Sequence, residues 1–341
     1  MIFPWLEHLG PLFSGTTGRA HHALLLHGPR GIGKSRLGAA LAQAWLCESP
    51  DAQGRACDRC PACQWVKSGN HPDLQFLHPE AEDEDTPAGT TARSRRRKPS
   101  TEIRIDQVRA LEPFVSMSAH QSGCKVVLVD PADALNVPAA NALLKTLEEP
   151  GGHTRFVLVS DRPERLPATI RSRCLSVALR LPPADVALEW LTDATATDRS
   201  QAAQWLAAAG GAPLQARELA DPATGSTHRM LVETFAGLPD TALTDAADRL
   251  AGVEAAVWSA VLLAWIVDLQ RCLAGAGPRF FPAQETVLRV QARRSTPQAL
   301  SRLGRDIAAA AQFAERSLNP RLMIEDALIR VRSALEQRQG H

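Results

Sequence analysis

Eight residues near the start of the chain have the types and spacing of a phosphate cradle: Gly28-Pro-Arg-Gly31-Ile-Gly33-Lys34-Ser35 fits the pattern G-x-x-x-x-G-K-[ST]. Glycines let backbone N–H groups wrap an anion at a helix N-terminus, the lysine reaches β- and γ-phosphates, and the serine hydroxyl can ligate Mg²⁺. The same residues could instead form a Gly-rich turn that merely joins a strand to a helix. Asp130 ends another apolar run and is suited to hold Mg²⁺ through water. Hydrolysis also needs a base for the attacking water, and Pro131 stands where a Glu would be wanted. Asp133, three residues further on, would have to point back to replace it. The expectation is a site that holds ATP and Mg²⁺, if at all, without turning it over.

Sulfur makes the second cluster. Four of the seven cysteines fall in Cys47-x9-Cys57-x2-Cys60-x2-Cys63, and in a reducing compartment that crowding points to a metal before a disulfide framework. Four thiolates suit a tetrahedral Zn²⁺, and a closed Cys₄ shell leaves no position for water, so such a site is structural. An iron–sulfur cluster, or four unligated core cysteines, is compatible with the same spacing. A third group, Ala168-Thr-Ile-Arg171-Ser172-Arg173-Cys174, carries two arginines. They are either solvated or presented to a neighbour's γ-phosphate as an arginine finger, and spacing alone does not choose.

The elements that position these groups are legible from periodicity. His22–His27 is a short apolar run before the glycines, and Leu37, Ala40, Leu41, Ala44 and Trp45 then recur at helical spacing. Further strand-like runs are Leu74–Leu77, Lys125–Asp130 and Arg155–Ser160, each nearly continuous in apolar residues, as parallel strands covered on both faces are. Ala139–Glu149 favours helix and is stopped by Pro150-Gly-Gly. The first half therefore reads as α/β with a parallel sheet. After Leu181-Pro-Pro183 the strand signals vanish, and Ala-rich amphipathic segments separated by glycines and prolines predict an all-helical second half. Trp258 and Trp265, seven apart, share one helical face suited to a core or a subunit interface. Between Glu80 and Lys98 five acids are followed by five bases, which reads as a solvated insertion at 79–100.

Composition narrows the function. The 341 residues carry 38 Lys and Arg against 37 Asp and Glu, a formal charge of +1, so no global field exists to coat a polyanion. The longest apolar run, Ala255–Val267, is shorter than the roughly 20 residues of a membrane span, and the N-terminus lacks a signal-peptide core. A cytoplasmic protein without a membrane partner is expected.

Taken together, these residues resemble the delta-prime subunits of the bacterial DNA polymerase III clamp loader, AAA+ proteins. The resemblance runs through His22–Ser35, the Cys47–Cys63 module, His71-Pro-Asp73, Ile105-Asp-Gln-Val108, Asn141-Ala-Leu-Leu-Lys-Thr-Leu-Glu-Glu-Pro150 and Thr169-Ile-Arg-Ser-Arg-Cys174. It covers roughly the first 180 residues and weakens later, at Gly211-Ala-Pro213 and Asn319-Pro-Arg-Leu322. It implies an AAA+ P-loop domain over 1–180 with the zinc module at 47–63, a small helical lid over 181–222, and a helical collar over 223–341. It also implies that Arg173 is a finger offered to the ATP site of a gamma/tau subunit, with delta as a further partner. The sliding clamp and primer–template DNA would be reached through the complex, part of a DNA-directed DNA polymerase (a nucleotidyltransferase). The related gamma/tau motor is the enzymatic alternative. Against it stand Pro131 after Asp130, Gly211-Ala-Pro-Leu214 where the motor has an arginine after Gly-Ser, and Ser160-Asp161 where it has a Thr. A zinc-dependent module binding nucleic acid by itself is a third reading, opposed by the near-neutral charge.

Overall fold

The computed structural model describes residues 2–13, 22–80, 101–120, 123–312 and 319–336. Nearly all of the charged insertion, 81–100, lies outside them. The chain divides into two compact units, Met1–Pro182 and Pro183–His341.

Unit 1 is built on five parallel strands: β1 (Ala23–His27), β2 (Leu74–Leu77), β3 (Lys125–Val129), β4 (Thr154–Ser160) and β5 (Leu175–Ala178), in the order β2-β3-β4-β1-β5. Because side chains alternate across a strand, each strand feeds both faces. Leu25, Val127, Val129, Phe156 and Leu158 pack with α3 (Ile105–Arg109), α4 (Leu111–Ser116) and α5 (Val137–Glu148) on one face. On the other lies α1 (Lys34–Leu46), so close that a Cβ on Gly38 would meet Leu128 Cδ1 at 3.1 Å and Val159 Cγ2 at 3.2 Å. Parallel strands bring all their C-terminal ends to one edge, so the residues after β1, β3 and β4 meet there. Helix α1 starts at that edge with Lys34 and ends against Cys47, so its two ends carry the two candidate sites.

Four strands match the runs legible in the sequence. The fifth, β5, is a four-residue edge strand whose residues are only half-buried or exposed, and such a strand leaves no continuous apolar run to read. Its residue pairs run along β1 from Leu24↔Leu175 to His27↔Ala178.

Among its described residues, unit 2 is all helical: α7 (Ala184–Thr195), α8 (Arg199–Ala208), α9 (Pro213–Ala220), α10 (Pro222–Ala236), α11 (Leu243–Leu250), α12 (Ala255–Leu273), α13 (Glu285–Arg293), α14 (Pro297–Gln312) and α15 (Pro320–Leu335); in unit 1, α2 is Pro61–Lys67 and α6 is Ala168–Arg171. Two separate apolar clusters lie among the described residues of unit 2. Ala187, Leu191, Ala202, Leu206 and Ala216 join α7, α8 and α9, and a larger cluster from Leu231 to Leu335 joins the rest. Helix α12 is long and apolar enough by length and composition to cross a membrane, yet half of its apolar window is buried against other helices. Trp258 and Trp265 are both buried there, and Trp265 Nε1 donates to Gln291 Oε1 at 2.9 Å. A buried Asp268 on the same helix accepts from the backbone N–H groups of Arg279 (2.6 Å), Phe280 and Phe281 (both 2.8 Å), fastening the segment that follows it.

Candidate functional site

The turn from β1 into α1 has the backbone that its glycines allow. Gly28, Gly31 and Gly33 take φ of 147°, 78° and 94°, a region that other residues enter at a cost. A Cβ on Gly28 would strike the carbonyl of Leu179, and one on Gly33 would lie 2.5 Å from the Phe3 ring. No side chain caps α1, so the first N–H groups of this helix keep their capacity for an anion. The residues present therefore fit a nucleotide's phosphates. Ser35 is exposed and donates its hydroxyl to Asp130 at the end of β3, which places the two oxygens close enough to share one Mg²⁺ ion. Burial pushes the Asp130 carboxyl up; the Ser35 bond opposes this, and the nearby Asp161 and Asp133 add to it. Beside this pair a cavity of about 350 Å³ opens between Arg36, Phe76 and His78.

Two contacts of the site were not legible in the sequence. The first is made by the N-terminal segment. Phe3 and Trp5 stack with ring centroids 4.8 Å apart, Trp5 Nε1 donates to the Ile32 carbonyl at 2.9 Å, and the Arg36 guanidinium lies 5.2 Å from the Phe3 centroid. These buried aromatic residues back the cradle from the start of the chain. The second is made by Asp161, just past β4. Its Oδ1 lies 2.5 Å from Lys34 Nζ, and the same ammonium donates to the Pro29 carbonyl at 2.6 Å. Asp133 accepts from the Ser160 hydroxyl at 2.7 Å and from the Asp161 N–H at 3.1 Å. It is committed to the end of β4.

The four cysteines come together as one cluster. Their sulfurs lie within 4.8 Å of one another, and Cys47 Sγ to Cys60 Sγ is 3.9 Å. Four thiolates at about 2.3 Å from a tetrahedral ion stand about 3.8 Å apart, so this donor set fits one metal ion. A multi-iron cluster would spread its thiolates over separate irons and further apart. Backbone N–H groups already point at the sulfurs: Cys57 N to Cys47 Sγ and Cys60 N to Cys57 Sγ at 3.3 Å, and Cys63 N to Cys60 Sγ at 3.4 Å as the N-cap of α2. Asp58 takes φ 62° in this turn and is tied to Lys67 (3.0 Å) and Gln43 (3.0 Å). The thiols are not alike. Backbone N–H groups of Arg59 and Cys60 bring Cys57 down to about 6, while burial first, then Cys60 and Cys47, pushes Cys63 up to about 12. Burial also raises Cys47. Beyond the module, buried His71 accepts the Asp73 N–H at 3.1 Å, and buried Asp73 accepts the His120 N–H at 2.8 Å.

Arg173 stands two residues after the end of α6. Its guanidinium pairs with Glu148 at the end of α5 and donates to the Thr169 carbonyl at 2.9 Å, while the side chain stays 35% exposed. Arg171 is exposed.

The family described as DNA polymerase III, delta subunit matches residues 14–183. The DNA polymerase III subunit delta' of Pseudomonas aeruginosa is 43% identical over 233 residues, 68% of this chain and 65% of that protein. That of Haemophilus influenzae is 36% identical over 220 residues, 64% of this chain and 61% of that protein. The chain thus spans less than two thirds of the length of these curated relatives. Among solved structures, a DNA polymerase III gamma-subunit-related protein from Thermotoga maritima aligns over 97% of this chain and 99% of its own, with a TM-score of 0.42 and 18% identity, too loose a likeness to add to the fold. On the strength of the sequence matches, the chain belongs to the family of DNA polymerase III delta-prime subunits.

Proposed function

We propose that this chain is a clamp-loader subunit that helps place the sliding clamp on primer–template DNA in the cytoplasm and lends Arg173 to the ATP site of a gamma/tau neighbour, with delta as another partner. The observation that carries this reading is the setting of Arg173. A planar, permanently charged guanidinium is held from behind by Glu148 and Thr169 and stays partly exposed, a posture suited to neutralising charge on a transferring phosphoryl group in trans. The chain's own cradle lacks the means of turnover, because Pro131 follows Asp130 and Asp133 is spent on Ser160 and the Asp161 N–H.

At that cradle the N–H groups around Gly28, Gly31 and Gly33 would bind phosphates, Lys34 would meet their charge, and Ser35 with Asp130 would hold Mg²⁺. Mg²⁺ would screen the phosphate charge when bound. Cys47, Cys57, Cys60 and Cys63 would hold Zn²⁺ as a structural ion, fixing the end of α1 to α2. In this reading the second unit comprises a lid over 181–222 and a collar over 223–341, a division supported by its two separate apolar clusters.

The test is a reconstituted loader containing Arg173→Ala. The complex should lose on the order of 10³-fold in clamp-dependent ATP turnover while the variant stays folded and incorporated. An unchanged rate would remove the finger. Turnover by the isolated chain, lost in Lys34→Ala, would instead favour the gamma/tau-type motor.

A further inference from the structure

The lysine of a phosphate cradle is the group that meets the β- and γ-phosphates. Here it already has an anion. Lys34 is 4% exposed, and its ammonium is shared between the Pro29 carbonyl at 2.6 Å and Asp161 Oδ1 at 2.5 Å. Asp161 is set there by its backbone as well as by that ion pair. Its N–H donates to Asp133 Oδ1, which also takes the Ser160 hydroxyl, and the Arg162 N–H donates to Ser160 Oγ at 3.1 Å. The end of β4 is thus fastened on both sides of Asp161, and β4 is hydrogen-bonded directly to β1, which leads into the cradle.

From this geometry we infer that Asp161 determines nucleotide specificity at the cradle, favouring a nucleoside diphosphate and disfavouring a triphosphate. The inference rests on the reading that Gly28–Ser35 bind nucleotide. A β-phosphate is held chiefly by backbone N–H groups at the helix N-terminus, which Asp161 does not occupy. A γ-phosphate needs Lys34, so it must displace the Asp161 carboxylate or lie beside it. The Asp130 carboxyl lies within electrostatic reach of Asp161, Asp133 and Lys34, so phosphate charge added beside Lys34 meets carboxylates as well as the ammonium. Like charges at contact distance in a partly buried site repel strongly enough to shift affinity by an order of magnitude or more.

Binding of N-methylanthraniloyl-ADP and N-methylanthraniloyl-ATP to the purified full chain, in Mg²⁺ and followed by fluorescence, tests this. Wild type should prefer the diphosphate by about 10-fold or more. Asp161→Asn should strengthen triphosphate binding by about 10-fold and bring the ratio near one, and Asp161→Thr should do the same should the amide variant misfold. Lys34→Ala should weaken the diphosphate, locating the signal at the cradle. A ratio unchanged in both Asp161 variants, with the diphosphate still bound, would overturn the role of Asp161 and leave the cradle reading standing. No binding of either nucleotide by wild type or by the variants would overturn both.

Discussion

Zinc affinity should depend steeply on pH, and the structure sets the slope. A thiol ligates zinc only as thiolate, so each thiol protonated before binding must release its proton, and each release contributes a factor of about 10 in affinity per pH unit. Burial raises Cys47 and carries Cys63 up to about 12, so both hold protons near neutrality. Cys57, brought down to about 6 by the N–H groups of Arg59 and Cys60, is already a thiolate there and releases none. At least two protons therefore leave, and apparent affinity should rise at least about 100-fold between about pH 7 and about pH 8. Below about 6, Cys57 also takes up a proton and the dependence steepens further. Competition against a chromophoric chelator at several pH values measures this slope. Calorimetry in buffers of different ionisation enthalpy counts the protons independently. A change of less than about 10-fold per pH unit would show that the buried sulfurs are ionised without the metal, and the reasoning from burial would fall.

Three further outcomes follow from particular contacts. Cys60→Ser should lose bound zinc, measured by elemental analysis, while a serine oxygen can still cap α2 where Cys60 Sγ accepts the Cys63 N–H, so the metal's contribution is separated from the cap's. Asp268→Ala removes a buried carboxylate that accepts three N–H groups, and should cost about 3–5 kcal/mol in urea unfolding because the Phe281 N–H is buried with no replacement. Gln291→Leu strands the Trp265 N–H and takes the amide from the carbonyls of Ala236 and Leu238, while the Phe235 carbonyl keeps the Leu238 N–H; about 2–4 kcal/mol of destabilisation with altered tryptophan fluorescence is expected, and a loss below about 1 kcal/mol would mean that water replaces the amide.

What could be read in the sequence was whatever chemistry or periodicity dictates locally. A cradle needs Gly28, Gly31 and Gly33 in succession, and a Cys₄ shell needs closely spaced sulfurs, so both sites announce themselves in a short window. Four strands did so through continuous apolar runs. Strand β5 did not, since an edge strand covered on one side needs no such run. Nor did Asp161, which meets Lys34 from 127 positions away because β4 happens to lie beside β1. The pairing of Arg173 with Glu148 likewise depends on where α5 ends relative to α6. Phe3 and Trp5 read as an ordinary apolar start to the chain, and only their stacking behind Gly33 shows that they shape the cradle.

Helix α1 constrains how this protein can change length. Its 13 residues run from Lys34 to Leu46, with Gly38 pressed on the sheet and Cys47 next after the last turn. One residue inserted between Gly38 and Leu46 would rotate everything beyond it by about 100° and advance it by about 1.5 Å. Cys47 would then leave its partners while the cradle kept its place. Substitutions along the exposed side of α1 should be tolerated freely, whereas insertions and deletions there should be nearly absent. Natural variation in length is expected instead in the connections beyond the cysteines.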